Sequence, residues 1–235
     1  MNIQITTTED GSHTLYNKTL GEHYHSTFGA IQESQHIFIE AGLNALEKKS
    51  GSINILEIGF GTGLNALLTY QELMKKTYKI NYVAIEPFML DKSIYIQLNY
   101  ADLLKSKTLQ DIFIKIHETP CNVPHFISDS FILNKIEGKL QELELSENAF
   151  DLVYFDAFSP EIQPELWDAD IFKAIYASMK NNSILTTYSA KGIVKRALKS
   201  AGFEIENLPG PIGKRQITRA RKAILMSDCH HHLTK

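Results

Sequence analysis

The sequence predicts an α/β fold with a doubly wound, mostly parallel sheet, a closing antiparallel C-terminal hairpin and an N-terminal cap segment. Strand-like and helix-like stretches alternate through most of the 235 residues, which is typical of parallel sheets. Phe150–Phe155 is almost continuously apolar, as expected for a strand buried on both faces. The last two strand-like stretches, 203–208 and 216–225, are joined by the loop 209–215 and should pair as a hairpin.

The other elements follow from the spacing of apolar and turn residues. A β-branched run at 53–59 predicts the first strand, and the leucine spacing over 64–76 predicts the helix after it. The remaining predicted elements are the strand 80–86, a helical segment over 90–118, the strands 131–136 and 183–188, and the helices 171–179 and 192–201. We expect residues 1–50 to form the cap, 51–226 the sheet domain and 227–235 a frayed tail.

Composition excludes several classes of protein. With 43% hydrophobic and 22% charged residues, the chain is neither disordered, collagen-like nor a coiled coil. No apolar run approaches the ~18–20 residues of a membrane helix, and the polar, acidic N-terminus is not a secretory signal. Cys121 and Cys229 form neither a disulfide framework nor a Cys-x-x-Cys pair, and the histidines show no metal-ligand spacing. We therefore expect a soluble cytoplasmic protein without a metal site.

Positive charge is concentrated in residues 191–222. This segment contains only two acidic residues, Glu204 and Glu206, whereas the rest of the chain is acidic. Its basic residues are Lys191, Lys195, Arg196, Lys199, Lys214, Arg215, Arg219, Arg221 and Lys222. The segment indicates an anionic partner such as a nucleic acid, although a solvated helix face and a charged edge strand would explain it equally well.

A glycine-rich turn lies between the first predicted strand and the first predicted helix. Gly59, Gly61 and Gly63 would allow a ligand to approach the backbone at a helix N-terminus. A dinucleotide fingerprint needs glycine where this sequence has Leu64, which weakens that interpretation. A P-loop is excluded because no Gly-Lys-Ser/Thr follows.

With Glu57 before it, this turn resembles motif I of the class I S-adenosylmethionine methyltransferases, which have a Rossmann-like fold. Glu86 ends the second predicted strand, where that family places the carboxylate that accepts the ribose hydroxyls. The resemblance implies that S-adenosyl-L-methionine is the cofactor. The implied cofactor-binding residues are Glu57, Gly59, Phe60, Gly61, Gly63, Asn65, Glu86 and Gly138. A tight turn that binds no ligand is the alternative.

Asp156 directly follows the buried strand Phe150–Phe155, and ligands of open α/β sheets bind at such strand ends. With Phe158 two residues later, it resembles the D-P-P-Y type motif of nitrogen-directed methyltransferases. A carboxylate there can accept an N–H and orient the nitrogen lone pair, while the aromatic ring can face a cation. The alternative is an aspartate that only caps a helix.

Nearly the whole chain resembles one family, the tRNA 5-methylaminomethyl-2-thiouridine-forming methyltransferases, which form the methyltransferase half of the bifunctional MnmC enzymes. The matching segments, in order, are 10–12, 14–16, 24–26, 29–30, 36–38, 59–65, 156–160, 163–167 and 210–215 with Arg219. The resemblance implies methylation of the primary amine of wobble-position 5-aminomethyl-(2-thio)uridine in tRNA.

The resemblance also implies roles for individual residues. Asp156, Tyr24 and His25 would be catalytic, although Tyr24 and His25 could instead be packing residues at an interface. The implied substrate-binding residues are Phe158, Ser159, Pro160, Ser26, Gly29, Lys214 and Arg215.

The sequence departs from the family in two ways. The bifunctional enzymes carry a flavin-dependent oxidase domain that exposes the amine, but this sequence has no second glycine fingerprint. We therefore expect another enzyme to make the amine precursor. The family usually has Gly-Asp to contact adenine where this sequence has Glu137-Gly138-Lys139, which leaves the adenine contact open.

Two other interpretations remain from the sequence alone. One is a methyltransferase or aminopropyltransferase that acts on a small-molecule amine. The other is a catalytically silent binding module, against which the intact glycines and carboxylates argue.

Overall fold

The alternating strands and helices form a central sheet of eight strands, next to a smaller N-terminal sheet of three. The computed structural model describes residues 2–47 and 51–223. The predicted tail 227–235, and with it Cys229, lies outside the described residues.

The N-terminal part is built from short elements. The antiparallel strands β1 (Ile3–Thr7), β2 (His13–Asn17) and β3 (Glu22–His23) form the smaller sheet. Helix α1 (Ala30–Ser34) continues directly into a π-helical stretch, Gln35–Glu40. A 3-10 turn at Leu43–Ala45 follows.

The central part contains the remaining strands and helices. The strands are β4 (Ser52–Ile58), β5 (Lys79–Glu86), β6 (His125–Ser128), β7 (Phe131–Glu137), β8 (Phe150–Phe155), β9 (Met179–Thr187), β10 (Glu204–Pro209) and β11 (Gln216–Lys222). The helices are α2 (Leu64–Leu73), α3 (Lys92–Tyr95), α4 (Tyr100–Leu103), α5 (Lys107–Glu118), α6 (Ala169–Ser178) and α7 (Gly192–Ser200). Short 3-10 turns lie at Leu140–Glu142 and Pro164–Leu166.

The order of strands in the central sheet is β10-β11-β9-β8-β4-β5-β7-β6. The five strands from β9 to β7 are parallel, and β10 pairs antiparallel with β11, which pairs antiparallel with β9. This arrangement confirms the predicted doubly wound sheet and its closing hairpin. The chain leaves β4 and β8, which are neighbours, toward opposite edges of the sheet, so the topological switch lies between them.

The structure differs from the prediction in two places. The helical segment predicted over 90–118 is broken into three helices. Asp91 caps the first and Ser106 the third, each by accepting from a backbone N–H. Strand β6 was not predicted. It is a four-residue antiparallel edge strand whose Phe126 is exposed, so it lacks the apolar run of a buried strand.

Strand β8 is buried on both faces, as the sequence predicts. Leu152 and Tyr154 belong to the hydrophobic core on one face of the sheet, and Val153 and Phe155 to the core on the other. The ring of Phe38, from the N-terminal part, lies 5.2 Å from the ring of Tyr154. The N-terminal part is therefore packed into one of the two main cores. Its description as a separate cap, 1–50, stays a prediction.

The C-terminal hairpin also contacts the N-terminal part. The ring nitrogen Nε2 of His36 lies 2.8 Å from the carbonyl oxygen of Pro209, and Arg219 donates to the carbonyl of Ala41. These contacts bring the two ends of the described chain together. Within the described residues, no helix has the length and apolar character needed to cross a membrane.

Gly59 allows the backbone after β4 to touch the backbone after β8. The Gly59 N–H donates to the carbonyl of Ile85, and the Asp156 N–H donates to the carbonyl of Ile58. Gly59 has a φ of 89°, and a Cβ added to it would lie 2.4 Å from the backbone oxygen of Asp156. Both the backbone conformation and the close approach therefore require glycine.

We predict that Gly59→Ala lowers the free energy of unfolding by about 2 kcal/mol or more, because the new methyl group forces the two strand ends apart. Gly138→Ala is the matched control, since a Cβ at Gly138 meets nothing within 4 Å. It should change the stability by less than about 1 kcal/mol. Urea denaturation of both variants tests this, and equal stability of the two would contradict it.

Candidate active site

A cavity of about 810 Å³ opens at the carboxyl ends of the central strands, at the topological switch. The parts of the chain that line it include the N-terminal part, the glycine turn, the ends of β5, β8 and β9, the segment after β7 and the hairpin loop. The lining side chains used below are those of Glu22, Tyr24, His25, Ser26, Glu33, Phe60, Asn65, Glu86, Lys139, Leu140, Asp156, Phe158, Gln163, Glu165, Tyr188 and Lys214.

Glu86, the last residue of β5, lies beside the glycine turn and is held by two backbone N–H groups. Its two carboxylate oxygens accept from the N–H groups of Gly61 and Phe88, at 3.1 and 3.0 Å. Burial raises the pKa of the Glu86 carboxyl, and these two hydrogen bonds oppose the rise. Each oxygen keeps a second lone pair, so the carboxylate can also accept from a ligand in the cavity.

Asn65, in the first turn of α2, bridges two carboxyl groups. Its side-chain Nδ2 donates to Oε1 of Glu57 and to Oδ2 of Asp156, both at 2.9 Å. Glu57 is fully buried, and burial raises the pKa of its carboxyl well above the ordinary value. The bridge therefore ties β4, α2 and the end of β8 together.

The environment of Asp156 makes its carboxyl group an acceptor of protons near neutral pH. Burial raises the pKa of Asp156 to about 7, and the nearby charge of Glu33 adds to the rise. The hydrogen bond from Asn65 and the positive charge of Lys214 act in the opposite direction. A group with such a pKa can exchange a proton with a ligand at physiological pH.

Two aromatic rings form a wall beside Asp156. The rings of Tyr24 and Phe158 pack edge to face, with centroids 5.0 Å apart. Phe158 is fixed through its backbone, which accepts from Trp167 Nε1 and donates to Gln163. Burial, together with the charge of Glu86, raises the pKa of Tyr24 to about 12, so its hydroxyl is neutral near pH 7.

His25 follows Tyr24 in the chain and is held in place by Thr14, in β2. Its Nδ1 lies 3.1 Å from Oγ1 of Thr14, which also accepts from the His25 backbone N–H. Burial lowers the pKa of the His25 ring to about 4, although Glu33 and Asp10 oppose this. The imidazole is therefore neutral near pH 7.

Glu33 and Lys214 form an ion pair that joins the N-terminal part to the hairpin loop. The Lys214 Nζ lies 2.8 Å from Oε1 of Glu33, and the other oxygen of Glu33 accepts from the Ser26 N–H at 2.7 Å. The same Nζ lies 4.2 Å from the centre of the Tyr188 ring. Lys214 therefore places a primary ammonium group in the cavity wall.

Several residues predicted for the site do not line the cavity. Gly63 and Glu57 lie behind it, and a Cβ on Gly29 would lie 2.5 Å from Asp10, so this glycine serves packing. The Ser159 hydroxyl donates to Glu22, which does line the cavity. The other predicted residues outside the lining are Pro160, Arg215 and Gly138. Lys139 and Leu140, which follow Gly138, line it instead.

The basic segment 191–222 is not a uniform surface for phosphates. Lys214 and Lys191 are paired with Glu33 and Glu161, and Lys222 is buried with its ammonium on two backbone carbonyls. Arg219 and Arg221 are both paired with Glu206. Besides Lys191, the exposed cations of the segment are Arg196, Lys199 and Arg215, and Lys195 is partly exposed.

Sequence reasoning missed several residues that line the site, among them Glu33 and Tyr188. Tyr188 follows β9, so its position at a strand end was the available signal. Glu33 gives no local signal, because its role depends on a lysine far away in the chain.

The charges of the cavity suit a ligand that carries positive charge. Carboxylates of Glu22, Glu33, Glu86 and Asp156 line it, and one of its lysines is already neutralised by an ion pair. Among residues 2–47 and 51–223, no cluster of three or more His, Cys, Asp or Glu side chains could hold a metal ion.

Comparisons with known proteins agree with the geometry. Residues 111–223 match a family described as S-adenosyl-L-methionine-dependent methyltransferase. The bifunctional tRNA 5-methylaminomethyl-2-thiouridine biosynthesis protein MnmC of Cupriavidus metallidurans is 32% identical over 233 residues, which cover 93% of this chain and 34% of that protein. The MnmC protein of Burkholderia multivorans is 30% identical, over 88% of this chain and 33% of that protein.

Among solved structures, MnmC2 from Aquifex aeolicus superimposes with a TM-score of 0.78 at 28% identity, covering 95% of this chain and 71% of that one. The chain spans about one third of the length of the curated MnmC relatives. These relatives confirm the predicted cofactor class and do not favour the alternative of a small-molecule amine enzyme. The chain therefore belongs to the MnmC methyltransferase-domain family of S-adenosyl-L-methionine-dependent methyltransferases.

Proposed function

We propose that this chain methylates the primary amine of 5-aminomethyl-(2-thio)uridine at the wobble position of tRNA. The observation that carries the proposal is Asp156, a half-buried carboxyl group that lines the cavity with a pKa of about 7, beside the rings of Tyr24 and Phe158. Such a group can take a proton from an amine and hold the nitrogen in place. The curated relatives are named for the biosynthesis of 5-methylaminomethyl-2-thiouridine, which is the product of this reaction.

The residues at the glycine turn fit S-adenosyl-L-methionine, which supplies a methyl group on a sulfonium. The acidic lining of the cavity complements the sulfonium and the ammonium of the cofactor. Glu86 would accept hydrogen bonds from the ribose hydroxyls, since both of its oxygens keep free lone pairs beside the cavity. Gly59, Phe60 and Gly61 would lie against the cofactor. Leu140, after β7, is our candidate for the adenine contact.

The acceptor amine must lose a proton before it can attack, and we assign the removal of this proton to Asp156. An alkyl amine has a pKa of about 10 by analogy with lysine, so only about one molecule in a thousand is neutral at pH 7. An ordinary aspartate is too weak a base to take this proton, whereas a carboxyl group with a pKa near 7 is a much better acceptor. After the proton is taken, the nitrogen lone pair is free to attack the methyl group.

The neighbouring residues orient the amine in this proposal. The rings of Tyr24 and Phe158 would face it, and His25 and Ser26 would hold the wall in place. Tyr24 and His25 do not compete as bases for the proton. The Tyr24 hydroxyl is protonated because its pKa is about 12, and the His25 ring, with a pKa of about 4, is a weaker base than Asp156.

The tRNA would bind on the exposed cations. Arg215 lies next to Lys214 in the hairpin loop and is exposed, so it is our candidate for a phosphate contact near the cavity. The amine precursor would come from a separate reaction that exposes the amine. A tRNA substrate would place the reaction in the cytoplasm.

The purified protein with S-adenosyl-L-methionine should convert 5-aminomethyl-(2-thio)uridine in tRNA to its methylaminomethyl form. The matched control is the same tRNA after acetylation, because an amide nitrogen is not nucleophilic. Mass spectrometry of the digested nucleosides is the measurement. Methyl transfer that survives acetylation, or that appears on another nucleoside, would refute the proposal.

Asp156→Asn should reduce the single-turnover rate by about a hundredfold or more, because the variant cannot take the proton. In the unmodified protein, the carboxylate becomes available as the pH rises through its pKa. The rate should therefore rise with pH and level off above a pH of at most about 7, since a bound sulfonium can only lower the pKa from about 7.

In Asp156→Asn the rate should keep rising toward the pKa of the free amine, about 10. Glu165→Gln is the control, because this exposed carboxylate lines the same cavity and should leave the profile unchanged. The same levelling-off in Asp156→Asn would show that Asp156 is not the proton acceptor.

A further inference from the structure

Lys214 holds a primary ammonium group in the wall of the cavity, close to Asp156. It lies in the loop between β10 and β11, where its backbone N–H donates to the carbonyl of Pro211. Its side chain is 28% exposed and reaches Glu33 at 2.8 Å and the Tyr188 ring at 4.2 Å. Lys214 and Glu33 both influence the pKa of Asp156, as expected for charges that lie close to it.

The two groups around this ammonium are held in place by their own contacts. Glu33 is 9% exposed, and its second oxygen accepts from the Ser26 N–H. Tyr188 donates its hydroxyl hydrogen to the carbonyl of Ala157, the residue after Asp156, which fixes the ring. A buried carboxylate and the face of an aromatic ring are the surroundings that bind alkylammonium ions.

We propose that Glu33 and the Tyr188 ring form the subsite for the ammonium of the acceptor, and that Lys214 fills this subsite until the acceptor displaces it. The inference rests on the proposed function, since it takes the acceptor to be a primary alkylamine. The lysine side chain ends in the same chemical group, –CH₂–NH₃⁺. The exchange therefore keeps Glu33 paired and preserves the charge of the site.

This exchange gives the site selectivity for amines. A buried carboxylate without a partner is strongly unfavourable, so Lys214 leaves Glu33 only when another cation takes its place. A uridine with a neutral substituent at the same position offers no such cation and is rejected. The long stem of Lys214 is partly exposed, so the displaced ammonium can move into solvent without a change of the backbone.

Calorimetric binding of two nucleosides tests the inference without depending on catalysis. The probes are 5-aminomethyluridine and 5-methyluridine, which differ by the ammonium group. Lys214→Met should strengthen the binding of 5-aminomethyluridine by about tenfold or more, because no internal competitor remains. Glu33→Gln should weaken it by about tenfold or more. Neither change should affect 5-methyluridine.

Two control variants isolate the charge and the position of Lys214. Lys214→Arg keeps a cation in the loop, so it should not strengthen the binding of 5-aminomethyluridine. Lys173→Met removes an exposed lysine that is paired with Asp170 and does not line the cavity, so it should bind both nucleosides as the unmodified protein does. Thermal melting of each variant confirms that the loop is intact.

The inference is overturned if Lys214→Met binds 5-aminomethyluridine no more tightly than the unmodified protein, as a purely structural ion pair or a phosphate contact would predict. It is also overturned if Glu33→Gln leaves binding unchanged, or if no variant binds 5-aminomethyluridine more tightly than 5-methyluridine. These results are distinct from failure of the proposed function, which appears as absence of methyl transfer to tRNA by the unmodified protein.

Discussion

The hydrogen bonds from one amide group of Asn65 to two carboxyl groups are the interaction on which the site depends. Glu57 belongs to β4 and Asp156 follows β8, and Asn65 lies at the start of α2. Two carboxyl groups in the protein interior repel each other and lose their hydration, which costs several kcal/mol unless donors or protons compensate. The amide supplies the donors. The raised pKa of both carboxyl groups means that each also binds a proton more readily than an ordinary carboxylate. Burial, opposed in part by the hydrogen bond from Asn65, leaves Asp156 with a pKa of about 7, so that it exchanges protons near neutral pH.

The N-terminal part and the C-terminal hairpin complete the cavity at the carboxyl ends of the central strands. The carboxyl ends of β4, β5 and β8 supply the glycine turn, Glu86 and Asp156, which suit a cationic cofactor and an amine that must lose a proton. Residues 24–33 and the hairpin loop close the opposite wall, and the Glu33–Lys214 pair joins them. The chemistry therefore depends on contacts between segments that are far apart in sequence, and the shared core around Phe38 and Tyr154 brings them together.

Local patterns in the sequence predict most of the fold and about half of the site, for a physical reason. The alternation of strand-like and helix-like stretches predicts the parallel strands. Position at a strand end then identifies Glu86 and Asp156 without knowledge of any contact. Glu33 was missed because nothing near it in the chain reveals its partner. A count of charges likewise could not show that Arg219 and Arg221 are both paired with Glu206, across the hairpin. Strand β6 was missed because an exposed edge strand lacks the apolar run that marks a buried one.

The central claim is that burial makes Asp156 a proton acceptor at neutral pH. The most direct measurement is a pH titration of the Asp156 carboxyl carbon by NMR in ¹³C-labelled protein, with the resonance assigned by its loss in Asp156→Asn. We predict a midpoint near 7, because burial raises the pKa of this group to about 7. A midpoint near the ordinary aspartate value of about 4 would contradict the account, since Asp156 would then be too weak a base to take the proton of an alkyl amine.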